Sequence, residues 1–198
     1  MRSSISHLCI AALAVSACVV VHAQTPVRVR GQITAVTASS LVVKSRDGRD
    51  LTLALPENVN VAVTKAVRFE EIKDGDFLGA TTKRDANGNE VAVELHYLPP
   101  TANSGQSNWD LAPNAKMTNA IVQAKVVGAG NREITVQYPG GTQKIVVPEG
   151  TPIVRAVPAT RADLVVGEYI FAAAQAGADG ALTAQRVQVS KDGVRPPQ

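Results

Sequence analysis

Two stretches, IKDGDFLGATTKRDANG over residues 72–88 and LVVGEYIFAAAQAGADG over residues 164–180, carry the same grammar 92 residues apart. Each places a Gly-acidic-aromatic-aliphatic step (Gly75-Asp76-Phe77-Leu78, then Gly167-Glu168-Tyr169-Ile170) ahead of a short strand and a Gly-containing turn. The same offset carries Pro56-Glu57 to Pro148-Glu149, Val61 to Ile153, Ala92 to Ala184 and Leu95 to Val187. Upstream it becomes 93, matching Ile33 to Val126, Leu41 to Ile134 and Val43 to Val136. Because turn positions and strand phase persist together, the pattern is a tandem repeat of two structural units.

Within each copy the apolar residues alternate. Val27, Val29 and Ile33, then Leu51, Leu53 and Leu55, Val59, Val61 and Val63, and Val91, Val93, Leu95 and Tyr97 keep a period of two. Such runs predict half-buried β-strands, with RDGRD (46–50), DANGNE (85–90), YPGGTQ (138–143) and GADGAL (177–182) as the turns between them. RFEEIK (68–73) and TRADLV (160–165) suit single helical turns, the second with a capping box from Thr160 to Asp163. The expected fold is therefore all-β: a tandem repeat of two small OB-like β-barrels, each with one short helical turn. Closure would remove exposed strand edges, and a split sandwich is the alternative. By this reading Phe77 and Tyr169 fill the two cores.

The chain opens MRSSISHLCIAALAVSACVVVHAQTP: one Arg, an apolar run and a small-residue exit. This predicts a signal peptide over 1–23, cut between Ala23 and Gln24, and a periplasmic or otherwise exported product. The alternative is a lipobox, Val15 to Cys18, which would leave Cys18 lipidated and the protein anchored to the envelope. Both cysteines, Cys9 and Cys18, lie in this leader, so cleavage leaves no thiol for a disulfide or a metal. The leader holds one of the 20 Lys and Arg and none of the 17 Asp and Glu, which leaves 19 against 17, a net charge of +2. So mild a balance gives no electrostatic case for nucleic acid. The domain organisation expected is repeat 1 over 24–98, a Pro/Asn/Ser-rich linker over 99–117 that holds Trp109, repeat 2 over 118–190, and a flexible tail over 191–198.

DGDFLGATTKRDANGNEVAVELHY and VGEYIFAAAQAGADGALTAQRVQV resemble the closing half of an exported bacterial domain of unknown function. NWDLAPNAKMTNA, between the copies, resembles the subset with two such domains, whose members are often labelled metal ABC transporter permeases. That resemblance implies a fold and an exported location, but it carries over no functional residues. The permease label conflicts with the sequence, since no segment after the leader could span a bilayer as a helix.

Candidate sites are few. His96 is the only histidine after the leader, far short of the three or four ligands zinc takes, and strand phase places it toward solvent. DANGNE begins like a calcium loop but lacks the sixth-position Gly and twelfth-position acid, so it reads as a hairpin turn. No Gly-x-Ser-x-Gly elbow or phosphate-binding loop occurs, and the acids Glu70, Glu71, Asp74 and Asp76 cluster where solvated acids are ordinary. No cofactor, metal or catalytic residue is expected. Trp109, the only Trp, stands out: with Leu111 it would fold the linker onto the barrels, or with Asp110 and His96 it would line a ligand cleft between them. The function expected is an exported, non-catalytic binding module for an unknown protein or small ligand of the envelope. Its alternatives are an accessory to cation transport and an enzyme with an inter-domain site.

Overall fold

A computed structural model describes residues 25–128 and 131–197. The leader, with Ala23, Gln24 and Cys18, lies outside the described residues. The fold is all-β. Its strands are β1 (Thr25–Val36), β2 (Ser40–Ser45), β3 (Asp50–Ala54), β4 (Asn60–Ala66), β5 (Phe77–Arg84) and β6 (Glu90–Tyr97) in the first copy. After β7 (Gly105–Asn108) come β8 (Lys116–Gly128), β9 (Asn131–Tyr138), β10 (Gly141–Val146), β11 (Ile153–Pro158), β12 (Tyr169–Ala176) and β13 (Leu182–Val189). Single 3-10 turns at Phe69–Glu71 and Arg161–Asp163 occupy the two expected helical positions. In the second, Asp163 Oδ2 accepts the backbone N–H of Thr160 at 3.1 Å, one half of the expected capping box.

Strand pairing departs from the expected partition in one decisive way. β1, β2 and β3 form a meander whose outer partners are β12 and β13, from the other copy. Leu53 and Ala54 of β3 lie parallel to Leu182 and Thr183 of β13 and close this five-stranded barrel. Reciprocally, β8, β9 and β10 pair with β5 and β6 of the first copy, and the circuit closes at a single pair, Val146 with Val91. Neither 24–98 nor 118–190 makes its own barrel. Each ring takes three opening strands from one copy and the closing hairpin from the other.

The exchange is repeated in the local hydrogen bonds. Gly167 donates to the carbonyl of Ile33, and Ile33 donates to Glu168; Gly75 donates to Val122, and Val122 to Asp76. Ile33 therefore corresponds to Val122, 89 residues on, and not to Val126. The four-residue difference from the offset of 93 in β2 and β9 is length added to the β8–β9 hairpin. Gly75 and Gly167 sit at φ of +87° and +96°, a left-handed conformation that side chains disfavour, which explains glycine at both turns.

Two apolar clusters follow the swapped rings. One gathers Val29, Ile33, Leu41, Val43 and Leu53 with Ile170, Val187 and Val189; the other gathers Leu78, Ala92 and Leu95 with Val122, Ile134, Val136 and Ile145. Phe77 and Tyr169 do not fill these cores. Both are half-buried, and the next residues, Leu78 and Ile170, point inward. The guanidinium of Arg195 stacks over Tyr169 at 3.7 Å, and Pro196 is buried, so the segment expected to fray is packed through Pro197.

A bulge breaks the phase of β6. Thr81 faces Glu94 but Thr82 faces Ala92, so Val93 is passed over. Ala92 and Leu95 both reach the core, whereas Val91 and Val93 remain half-buried. The turn between β5 and β6 is the hairpin expected at DANGNE: Asp85 Oδ1 accepts the N–H groups of Asn87 at 2.9 Å and Asn89 at 2.8 Å.

Candidate functional site

The two strand circuits meet through β4 and β11, which run antiparallel, with Ala62 opposite Pro158, Thr64 opposite Ala156 and Ala66 opposite Val154. Each pairing exchanges under the 92-residue offset, so a pseudo-twofold axis passes between Thr64 and Ala156. Beside this seam lies a cleft of about 720 Å³. One wall comes from β1, β12 and β13, and the other from β6, β8 and the segment that carries β7.

The walls are corresponding cross-strand rows. In one, Arg30 lies opposite Phe171, and Phe171 opposite Gln188. In the other, Asn119 lies opposite Gly79, and Gly79 opposite His96. Residues one strand apart in register share a face, so each row presents its side chains together. The same positions thus carry Arg, Phe and Gln on one side and Asn, Gly and His on the other.

Gly79 makes room for the imidazole. A Cβ there would stand 2.4 Å from His96 Nε2, far inside van der Waals contact. At the corresponding position Phe171 takes that volume with its ring. His96 consequently faces the cleft rather than open solvent. The residue is partly buried, but its Nδ1 is enclosed and has no hydrogen-bond partner. Burial, with a contribution from Arg186, pushes its pKa down to about 4, so the ring is neutral at pH 7.

The missing partner has a structural cause. On the other side Gln188 Nε2 donates to Thr64 Oγ1 at 3.2 Å, and that hydroxyl donates to the Val189 carbonyl at 2.9 Å. Thr64's counterpart is Ala156, which has no hydroxyl to offer His96. A second enclosed atom, Asn119 Oδ1, also lacks a partner, although Asn119 Nδ2 donates to the Asn103 carbonyl at 3.0 Å. Enclosed polar atoms left unpaired each cost about 1–3 kcal/mol, and Arg30 Nε, in the opposite row, is a third without a partner.

Trp109 covers the cleft from the segment between the copies. The Arg28 guanidinium stacks 4.5 Å from its ring, and Arg30 lies 5.4 Å from it and 5.2 Å from the Phe171 ring. Asp110 takes both ends of the Arg30 fork, at 2.8 and 2.9 Å, which holds the Asp110 carboxyl below the usual carboxylate range. Arg46 Nη2 also donates to the Leu111 carbonyl at 3.5 Å, so the segment is strapped to the first barrel. It is more than linker, because β7 adds four residues to the edge of β8.

Of the three residues singled out on sequence, His96 and Trp109 line the cleft and Asp110 anchors its cover. Arg28, Gly79, Asn119, Phe171 and Arg186 were not singled out. The contrast of Gly79 with Phe171 was open to view in the repeat comparison; the role of Asn119 was not, because it depends on the swap. Among the described residues no group of three or more His, Cys, Asp or Glu could hold a metal ion. None of their helices is long and apolar enough to cross a membrane. No protein-family model, curated protein or solved structure matches the chain.

Proposed function

We propose that the chain is an exported, non-catalytic binding module of the cell envelope, and that its ligand occupies the cleft under Trp109. One observation carries the reading: two enclosed polar atoms, His96 Nδ1 and Asn119 Oδ1, stand without partners in the wall of a cleft with room for a small molecule. The leader supports export, and the exchanged strand circuits support a swapped pair of OB-type barrels, since three meander strands closed by a hairpin through a parallel contact is the order of that barrel. A site at the seam of two such barrels would be rigid on both sides, which suits recognition.

The experiment is native mass spectrometry of the protein isolated gently from its own envelope fraction, with NMR shifts of His96 and Asn119 followed as the bound molecule is returned. Retention of a stoichiometric small molecule that moves both residues is the expected result. A ligand-free protein whose His96 and Asn119 signals ignore both envelope extracts and a broad fragment library would end the reading.

A further inference from the structure

The chemistry of the cleft narrows the ligand. Arg28 and Arg186 flank Ala173 in register and both line the cleft, with no Asp or Glu among the lining residues. Both arginines are exposed side chains of strands, and among the described residues neither has a carboxylate within ion-pair distance. The nearest acid on this side, Asp110, spends both oxygens on Arg30. Asp110 acts on Arg28 as well as Arg30 and so offsets the positive charge of the lining only in part, and a guanidinium fork matches a carboxylate in geometry as well as charge.

The inner wall asks for something different. Asn119 Oδ1 is a pure acceptor whose orientation is fixed by the bond from its Nδ2 to Asn103, so only a donor satisfies it. A neutral His96 ring accepts at one nitrogen and donates at the other. Between mouth and inner wall lie Val27, Trp109, Phe171 and Met117, with Arg30 set against both rings. Such surfaces hold a ring or another planar apolar body.

Resting on the binding-module reading, we propose that the ligand is a small planar organic acid. Its carboxylate meets Arg28 and Arg186, its body packs along Val27, Met117 and Phe171 beneath Trp109, and a hydroxyl or amino group at the far end donates to Asn119 Oδ1 beside His96. The asymmetry of the walls requires this polarity, because corresponding positions carry Arg28 on one side and Met117 on the other.

Three probes separate the parts of the proposal: 4-hydroxybenzoate, 4-hydroxybenzamide, which lacks the charge, and benzoate, which lacks the donor. Binding is read from the fluorescence of Trp109, the only tryptophan, and from NMR shifts of His96 and Asn119. The expected result is that 4-hydroxybenzoate binds about tenfold more tightly than either relative. Arg186→Gln should erase its advantage over the amide while leaving the melting temperature unchanged. Should the amide bind as well as the acid, the cleft is a binding site but not an anion site, and the proposal falls alone. If all three leave Trp109, His96 and Asn119 unmoved while another ligand class shifts them, it falls likewise. Silence toward every class removes the binding-module reading with it.

Discussion

Thr64 lies directly opposite Ala156 in the β4–β11 pair, and the two are the same position of the two copies. One side of the seam therefore carries a hydroxyl that completes Gln188, and the other carries a methyl that leaves His96 Nδ1 unpaired. Ala156 is exposed to the cleft, so a larger side chain has room. Ala156→Thr should restore the symmetric arrangement and give His96 a partner. We expect about 0.5–1.5 kcal/mol of added stability by chemical denaturation, together with weaker ligand binding. Unchanged stability would show that Ala156 is not the cause of the unpaired nitrogen.

Exchange of the closing hairpins makes each core depend on both copies. Leu41 and Ile145 are both fully buried, in different rings. Leu41→Ala and Ile145→Ala should each cost about 2–5 kcal/mol and shift one common unfolding transition. Two contiguous, independent barrels would give two calorimetric transitions, with each substitution moving only one of them.

Gly79 tests the seat of the imidazole. Its backbone φ does not demand glycine, so the penalty for Gly79→Ala comes from the collision with His96. A loss of about 1–3 kcal/mol is expected. Gly79→Ala combined with His96→Ala should recover most of it, because the colliding ring is gone. Two costs that simply add would place the source of the loss elsewhere.

Much of this architecture was legible in the alternation and the turns. Strand phase, both 3-10 turns and the repeat itself depend on local chemistry, which each residue carries with it. What was illegible depends on partner choice. The β5–β6 and β12–β13 hairpins have nearly the same pattern, so either could close either meander, and nothing local separates contiguous from exchanged pairing. The same limit hid the bulge at Val93, which moved Ala92 inward. Trp109 was conspicuous as the only tryptophan, but Arg28 and Arg30 resembled any solvated face of a strand. Only pairing β1 with β12 sets Arg30 between Trp109 and Phe171.

The cover has its own test at Asp110. Arg30 is almost wholly buried, with 7% of its side chain exposed, and Asp110 receives both ends of its fork. Asp110→Asn keeps the size of the side chain but removes the charge and one acceptor. A loss of about 1–3 kcal/mol should accompany a red shift of Trp109 emission as the strap loosens. An unmoved emission maximum would mean that Trp109 is held without this pair.

Acid stability should report the enclosure of His96. Its pKa is lowered from 6.5 to about 4, so between those values the unfolded chain binds a proton that the folded chain refuses. Stability therefore rises with pH across this window, is complete above about 6.5, and is lost on acidification toward 4. The full difference is about 3 kcal/mol, from about 1.4 kcal/mol per pKa unit. Asp85 and Asp110, whose carboxyls are held below their ordinary value of 3.8, lose their contributions at lower pH still and do not obscure it. Denaturant midpoints measured between pH 7 and pH 4 should fall more steeply for the native chain than for His96→Gln. Parallel curves would mean that the ring takes up its proton as easily folded as unfolded, and that water reaches His96 Nδ1.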